Sequence, residues 1–212
     1  MNPLKKLAAQ TITYGLSSVI GRLLNFLLVP IYTRYFSPEH YGVVTELYAY
    51  AAFLIVILTY GIETSFFRYA QKEKNKKSVY STALISLTVS SVVFMILMFL
   101  FATPLAEYLQ YENHPEYIQY FALIIGLDAI SAISFANLRN ENKAVKFTFI
   151  RLVNIFVNIG LNLVFIVHLN LSIEYIFISN LIASVITFFM LFPEMIKSIW
   201  IFDVQLWKKM MI

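Results

Sequence analysis

Residues 78–103 form the stretch SVYSTALISLTVSSVVFMILMFLFAT, which contains no charged side chain. An α-helix rises about 1.5 Å per residue, so about 20 apolar residues are enough to cross a hydrocarbon core of about 30 Å. Residues 78–103 exceed that length. The stretch therefore predicts a transmembrane helix, and the rest of the chain can be compared with it.

Five further apolar stretches have a similar length. They cover residues 7–35, 41–69, 117–138, 147–169 and 173–192. The first is about twice as long as the apolar part of a signal peptide and shows no cleavage site of small residues, so we expect it to be retained. The sequence predicts an all-α fold, a polytopic transmembrane bundle of six helices over residues 1–192.

The composition agrees with a membrane protein. Hydrophobic residues make up 59% of the chain and charged residues 13%, whereas soluble domains average about 45–50% and about 25%. The chain has no cysteine, which excludes disulfides and thiol chemistry.

The basic residues predict the orientation, because positively charged loops stay in the cytoplasm. If the N-terminus lies inside, 14 of the 16 Lys and Arg residues fall on the cytoplasmic side; the other two are Arg22 and Arg34. We therefore expect both ends in the cytoplasm. Membrane orientation therefore accounts for the positive charge of the chain, and we expect no nucleic-acid partner.

The tail after the sixth helix has a different pattern. Apolar residues recur at intervals of three and four over residues 193–212, with charged residues between them. This spacing predicts an amphipathic helix at the inner membrane interface, which we expect to be a linker truncated before a seventh helix.

Polar residues at membrane depth are expensive, so each is a candidate functional residue. Ser18, Arg22 and Asn25 share one face of the first predicted helix. A guanidinium at mid-depth fits phosphate or carboxylate geometry, so Arg22 is a candidate for binding an anionic substrate. A structural pair with Asp128 is the alternative, and the two roles are compatible.

The fifth predicted helix also has a polar face. It carries Arg151, Asn154, Asn158 and Asn162. Asparagines can join helices, but three in register fit the wall of a hydrated cavity better, and amides both donate to and accept from sugar hydroxyls. Arg151 would lie near the cavity mouth.

Three acidic residues are candidates for ion coupling or charge pairing, namely Glu46, Glu63 and Asp128. For Glu46 and Glu63 we favour simple pairing, with Arg34 and Arg68 respectively. No phosphate-binding loop, catalytic triad or zinc motif occurs in the sequence, so we expect no enzyme activity, no cofactor and no metal site.

Several motifs resemble a known class of transporter. Residues 21–42, GRLLNFLLVPIYTRYFSPEHYG, are similar to the opening of bacterial oligosaccharide flippases of the multidrug/oligosaccharidyl-lipid/polysaccharide exporter superfamily. The resemblance continues in YGIE at 60–63, in NLR at 137–139, in the asparagines of the fifth helix and in FDVQLWKKM at 202–210.

The resemblance implies a multi-pass protein of the bacterial inner membrane with a function in polysaccharide (O-antigen, capsule or exopolysaccharide) export. The partners would be a lipid-linked oligosaccharide carried on polyprenyl pyrophosphate, the membrane lipids and a second six-helix lobe. Alternating access would move the head group through a polar cavity. Such flippases can place several basic residues in that cavity, whereas this chain offers Arg22 at depth and Arg151 near the mouth.

Two alternatives remain open from the sequence. One is a cation-coupled exporter of the multidrug and toxin extrusion type, in which Glu63 or Asp128 would replace the acidic residue that the first helix lacks. The other is a membrane scaffold or truncated relic without transport activity.

Overall fold

A computed structural model describes residues 26–73, 75–198 and 200–211. Within these ranges the chain is helical and contains no β-strand. Residues 26–35 form the described part of helix α1. The other helices are α2 (Pro38–Thr59), α3 (Ile62–Lys72), α4 (Lys76–Leu100), α5 (Ala102–Tyr108), α6 (Pro115–Asn140), α7 (Ala144–Asn162), α8 (Glu174–Ile196) and α9 (Val204–Met210). A π-helical turn, Leu163–His168, extends α7.

Five segments of the described chain are long and apolar enough to span a membrane. They are Pro38–Lys72, Lys76–Leu100, Pro115–Asn140, Ala144–His168 and Glu174–Ile196. These segments overlap the second to sixth predicted helices, and most of the first predicted helix lies outside the described residues. The predicted all-α, multi-pass membrane fold is confirmed.

Helix α6 is the centre of the bundle. The most apolar window of its span is 78% buried, against 17–39% for the other four spans. Helices α2, α3, α4, α7 and α8 all pack against it. Small residues such as Ala122, Gly126 and Ala129 allow this close approach, because helix association in lipid depends on tight packing of small side chains.

Two buried clusters lie toward opposite ends of the bundle, and α6 contributes to both. Ile133 and Leu138 join α3, α4 and α8 at one end. Phe121 and Ile125 join α1, α2 and α8 at the other. We call the first end the basic end, because the lysines between α6 and α7 and at the start of α4 lie there.

The second predicted helix is divided into α2 and α3. Tyr60 and Gly61 both have positive φ angles, 34° and 70°, and end α2 in a left-handed turn. Such a turn is a common helix terminator, and glycine adopts it without strain. Helix α3 then buries Ile62, Phe66 and Ala70, spaced four apart, against the core.

The ends of the predicted elements also differ. The segment between the apolar stretches 78–103 and 117–138 is partly helical, because α5 occupies Ala102–Tyr108. The predicted amphipathic helix over 193–212 is wrong in extent, because α8 continues through Pro193 to Ile196 and α9 covers Val204–Met210. Pro193 lacks the N–H that would bond to the Phe189 carbonyl, and α8 ends within one turn of it.

The tail packs on the bundle through hydrogen bonds. The Asp203 backbone N–H donates to Thr82 Oγ1 of α4 (3.2 Å), and Trp207 Nε1 donates to Ser86 Oγ (2.8 Å). The Ser65 hydroxyl of α3 donates to the Met210 carbonyl (2.6 Å). The tail therefore docks on α3 and α4.

The packing of α6 against α4 leads to a stability prediction. A Cβ added at Gly126 would lie 2.7 Å from Cγ of Met95, whereas one at Gly160 of α7 meets nothing within 4 Å. We expect Gly126→Leu to destabilise the protein by about 1–3 kcal/mol through overpacking, and Gly160→Leu to have little effect. Thermal unfolding of the two variants in detergent checks this; equal melting temperatures would contradict the packing described for α6.

Candidate functional site

A polar-lined cavity of about 400 Å³ lies between α1, α2, α7 and α8. Its volume falls within the range of about 300–1,000 Å³ that is typical of ligand pockets. The lining residues are Leu28, Tyr32, Tyr41, Val44, Thr45, Tyr48, Asn154, Asn158, Ile176 and Asn180. Seven of these ten side chains carry a hydroxyl or an amide, within a bundle that is otherwise strongly apolar.

Helix α2 supplies a phenol and hydroxyl wall. Tyr41, Thr45 and Tyr48 follow at intervals of four and three, so the helical period places them on one face. The Tyr48 hydroxyl accepts a hydrogen bond from Asn180 Nδ2 of α8 (3.0 Å). Phe121 and Phe177 pack on the Tyr48 ring and hold it in place.

Helix α7 supplies the amide wall. Asn154 Nδ2 donates to Thr187 Oγ1 of α8 (2.9 Å), which fixes the orientation of that amide. Asn158 Oδ1 accepts from Asn162 (3.0 Å). Both Asn154 and Asn158 are partly exposed and lie in the cavity wall.

Asn162 has a different position from the other two asparagines. Its side chain is buried, with 2% exposure. Asn162 Oδ1 accepts from the Tyr32 hydroxyl of α1 (2.8 Å), and its Nδ2 donates to the Asn158 carbonyl (2.8 Å). Asn162 therefore joins α1 to α7 and does not line the cavity.

Arg151 and Asp128 are both exposed and lie outside the cavity lining. Their charges act on each other, but the two residues form no ion pair. The Arg151 guanidinium stacks over the Phe135 ring, 4.1 Å from its centroid. The predicted pair of Asp128 with Arg22 involves a residue outside the described ranges, and Ser18 and Asn25 lie outside them as well.

The two glutamates have partners other than those expected. Glu46 accepts hydrogen bonds from Tyr50 (2.8 Å) and Tyr111 (2.7 Å) instead of pairing with Arg34. Burial and the Glu46 carboxylate raise the pKa of Tyr111, so its hydroxyl remains a donor. Glu63 forms an ion pair with Arg139 of α6, and not with Arg68.

Sequence reasoning missed the α2 and α8 walls of the cavity. The signal was present for Tyr41, Thr45 and Tyr48, whose spacing is helical, but tyrosine near a helix end is also typical of a membrane interface. Asn180 is a single amide in an apolar helix, and its role depends on Tyr48, 132 positions away in the chain.

The cavity can bind a neutral polyhydroxylated ligand. Asparagine amides offer both donors and acceptors, and tyrosine hydroxyls can do either. The described lining contains no charged side chain, so a phosphate would need residues elsewhere.

Comparison with known proteins gives one match. The sequence model of a family described as polysaccharide biosynthesis protein matches residues 31–211. No curated protein and no solved structure shows significant similarity to the chain.

The Tyr32–Asn162 hydrogen bond can be tested with a double-mutant cycle. We expect Tyr32→Phe and Asn162→Leu to couple by about 0.6–1.7 kcal/mol, the range measured for polar contacts between membrane helices. The control pair is Tyr80→Phe with Asn162→Leu, because Tyr80 bonds to Ser134 in the other cluster. Unfolding free energies in detergent give both values; coupling no larger than in the control would contradict the role assigned to Asn162.

Proposed function

The chain belongs to the polysaccharide biosynthesis protein family, and from that premise we propose that it forms one transporting lobe of a flippase for lipid-linked oligosaccharides. The lobe would act in the export of a polysaccharide across the inner membrane of a bacterium by alternating access. Transport requires no bond to form or break, so we assign no catalytic residue.

The cavity between α1, α2, α7 and α8 supports the proposal most directly. Tyr41, Tyr48, Asn158 and Asn180 present hydrogen-bonding groups to about 400 Å³ of space inside an apolar bundle. Asn180 bonds to Tyr48 and Asn158 bonds to Asn162, and each of these amides has further donor and acceptor capacity for a ligand. A sugar head group has the hydroxyls that these amides and phenols match.

The phosphate of the lipid carrier needs a different binding site. Arg151 is exposed and lies on α7 one turn before Asn154, the first of the asparagines. Guanidinium binds phosphate oxygens in a bidentate manner. In the proposal Arg151, with Arg22 from the first predicted helix, attracts the pyrophosphate while the cavity holds the sugars.

A second six-helix lobe is part of the proposal. The family resemblance of the sequence implies two lobes around a central path, so this lobe would supply one wall of it. The second lobe could come from a longer form of the chain or from a partner chain.

Cation-coupled drug export is favoured less. It would need a carboxylate free to bind the driving cation, and Asp128 and Glu63 are the candidates. Arg139 forms an ion pair with Glu63, and a cation site is disfavoured where an arginine already neutralises the carboxylate. Asp128 forms no ion pair with a described residue, so this alternative depends on Asp128.

Deletion and complementation in the source bacterium test the function. Deleting the gene should remove surface polysaccharide and cause the lipid-linked oligosaccharide to accumulate inside the cell. We expect Asn158→Leu and Asn180→Leu each to lower export about five- to tenfold, since each removes a hydrogen bond of about 1–1.4 kcal/mol. The measurements are surface polysaccharide and the intracellular lipid-linked pool.

Phe156→Leu is the matched control. Phe156 lies on α7 two residues from Asn158, and 62% of its side chain is exposed on the apolar surface. The control should restore export fully at equal protein abundance. Unchanged surface polysaccharide in the deletion strain would overturn the proposal, and full export by both asparagine variants would remove the cavity from it.

A further inference from the structure

A second polar pocket, with a volume of about 370 Å³, lies at the basic end of the bundle. It is formed by the start of α4 and the ends of α6 and α8. We call it the lysine pocket. Its lining residues are Lys76, Lys77, Tyr80, Asn137, Asn140, Glu141, Lys143, Glu194, Lys197 and Ser198. It is separate from the cavity proposed for sugars, which shares none of these residues.

Glu194 is the buried anion of the lysine pocket. Its side chain is 5% exposed, and a buried carboxylate requires paired charges. Lys146 Nζ lies 2.6 Å from Glu194 Oε1, and Lys143 Nζ lies 3.2 Å from Oε2. Both lysines lie at the start of α7, and Lys197 Nζ lies 3.6 Å from Oε1, so three lysines surround the carboxylate.

Positive charge remains after these pairs are formed. Four lysines line the pocket against two glutamates, so two positive charges are in excess. Lys76 and Lys77 are exposed and make no ion pair with any residue in the described ranges. The ends of α6 and α8 add about half a negative charge each and the start of α4 adds about half a positive charge, which leaves the pocket positive.

Ser198 supplies an independent observation. Ser198 lines the pocket and is 9% exposed, and its buried hydroxyl has no hydrogen-bond partner within the described structure. Buried polar groups are nearly always hydrogen-bonded, so an unpartnered hydroxyl in a basic pocket indicates a missing acceptor. An oxyanion would satisfy the hydroxyl and the free lysines together.

A face of α8 turned away from Glu194 is apolar. Phe189, Phe192 and Ile196 follow at intervals of three and four and are 63%, 41% and 57% exposed. A membrane helix exposes such a face to lipid chains. Ile196 directly precedes Lys197 of the pocket, so the edge of the pocket adjoins this lipid-facing surface at the end of α8.

We propose that the lysine pocket binds the phosphate of an anionic phospholipid head group, with the acyl chains entering the lipid layer beside Ile196. Lys76, Lys77 and Lys197 would contact the phosphate oxygens, and Ser198 would donate a hydrogen bond. Basic pockets between membrane helices on the cytoplasmic side are a recurrent way of binding acidic lipids. The site does not depend on the flippase function.

Lipid binding can be measured on the purified full chain in mixed micelles. The melting temperature is followed while phosphatidylglycerol is titrated against phosphatidylcholine at constant total lipid. We expect phosphatidylglycerol to stabilise the protein. In Lys76→Gln/Lys77→Gln the midpoint should move to about 25-fold more phosphatidylglycerol, about fivefold for each lysine removed.

The control variant is Lys72→Gln/Lys208→Gln. It removes the same charge from the same end of the protein, from exposed residues that do not line the pocket. Its midpoint should move less than fivefold. An equal shift in both variants would mean general surface attraction and would overturn the site.

A soluble anion distinguishes a site for a phospholipid head group from a site for free phosphate or pyrophosphate. Sodium pyrophosphate, added without phosphatidylglycerol at the same ionic strength as a sodium chloride control, should leave the melting temperature unchanged. Stabilisation by pyrophosphate that is lost in Lys76→Gln/Lys77→Gln would overturn the assignment to a lipid. No stabilisation by phosphatidylglycerol would overturn it as well.

Discussion

The absence of water from the hydrocarbon core is the constraint on which the rest of this structure depends. Backbone groups there must be paired internally, which makes every described span helical, and polar side chains must find partners or face a hydrated space. The bundle meets the second requirement through hydrogen bonds between polar side chains of different helices. Tyr32 with Asn162 and Asn154 with Thr187 each join two helices that no apolar force would hold together in lipid.

The same constraint separates two kinds of exposed residue. Phe53, Phe156 and Phe189 are exposed because lipid is an acceptable neighbour for them. Thr45 and Asn158 carry polar groups and line the cavity. Their position is favourable if the cavity holds water or a polar ligand, and this connects the fold to the proposed transport of a sugar head group.

Apolar length was enough to predict the fold class, whereas contacts between distant residues were not predictable. Continuous apolar runs located the spans, because about 20 such residues have few other stable environments. The division at Tyr60–Gly61 and the Glu63–Arg139 pair depend on packing of α3 against α6, which no local pattern records. The sequence pattern places Glu194 in the tail, because it follows Pro193. Its pairing with lysines could not be predicted, since they lie about 50 positions earlier in the chain.

Hydration of the cavity between α1, α2, α7 and α8 is the central claim, and cysteine labelling in membranes tests it most directly. The chain has no native cysteine, so a single introduced thiol reports its own surroundings. Labelling requires the thiolate, which does not form in lipid. A charged, membrane-impermeant thiol reagent should modify Asn158→Cys and leave Phe156→Cys, two residues away on the lipid-facing side of α7, unmodified. Failure to label Asn158→Cys from either side of the membrane, or equal labelling of both, would contradict the account.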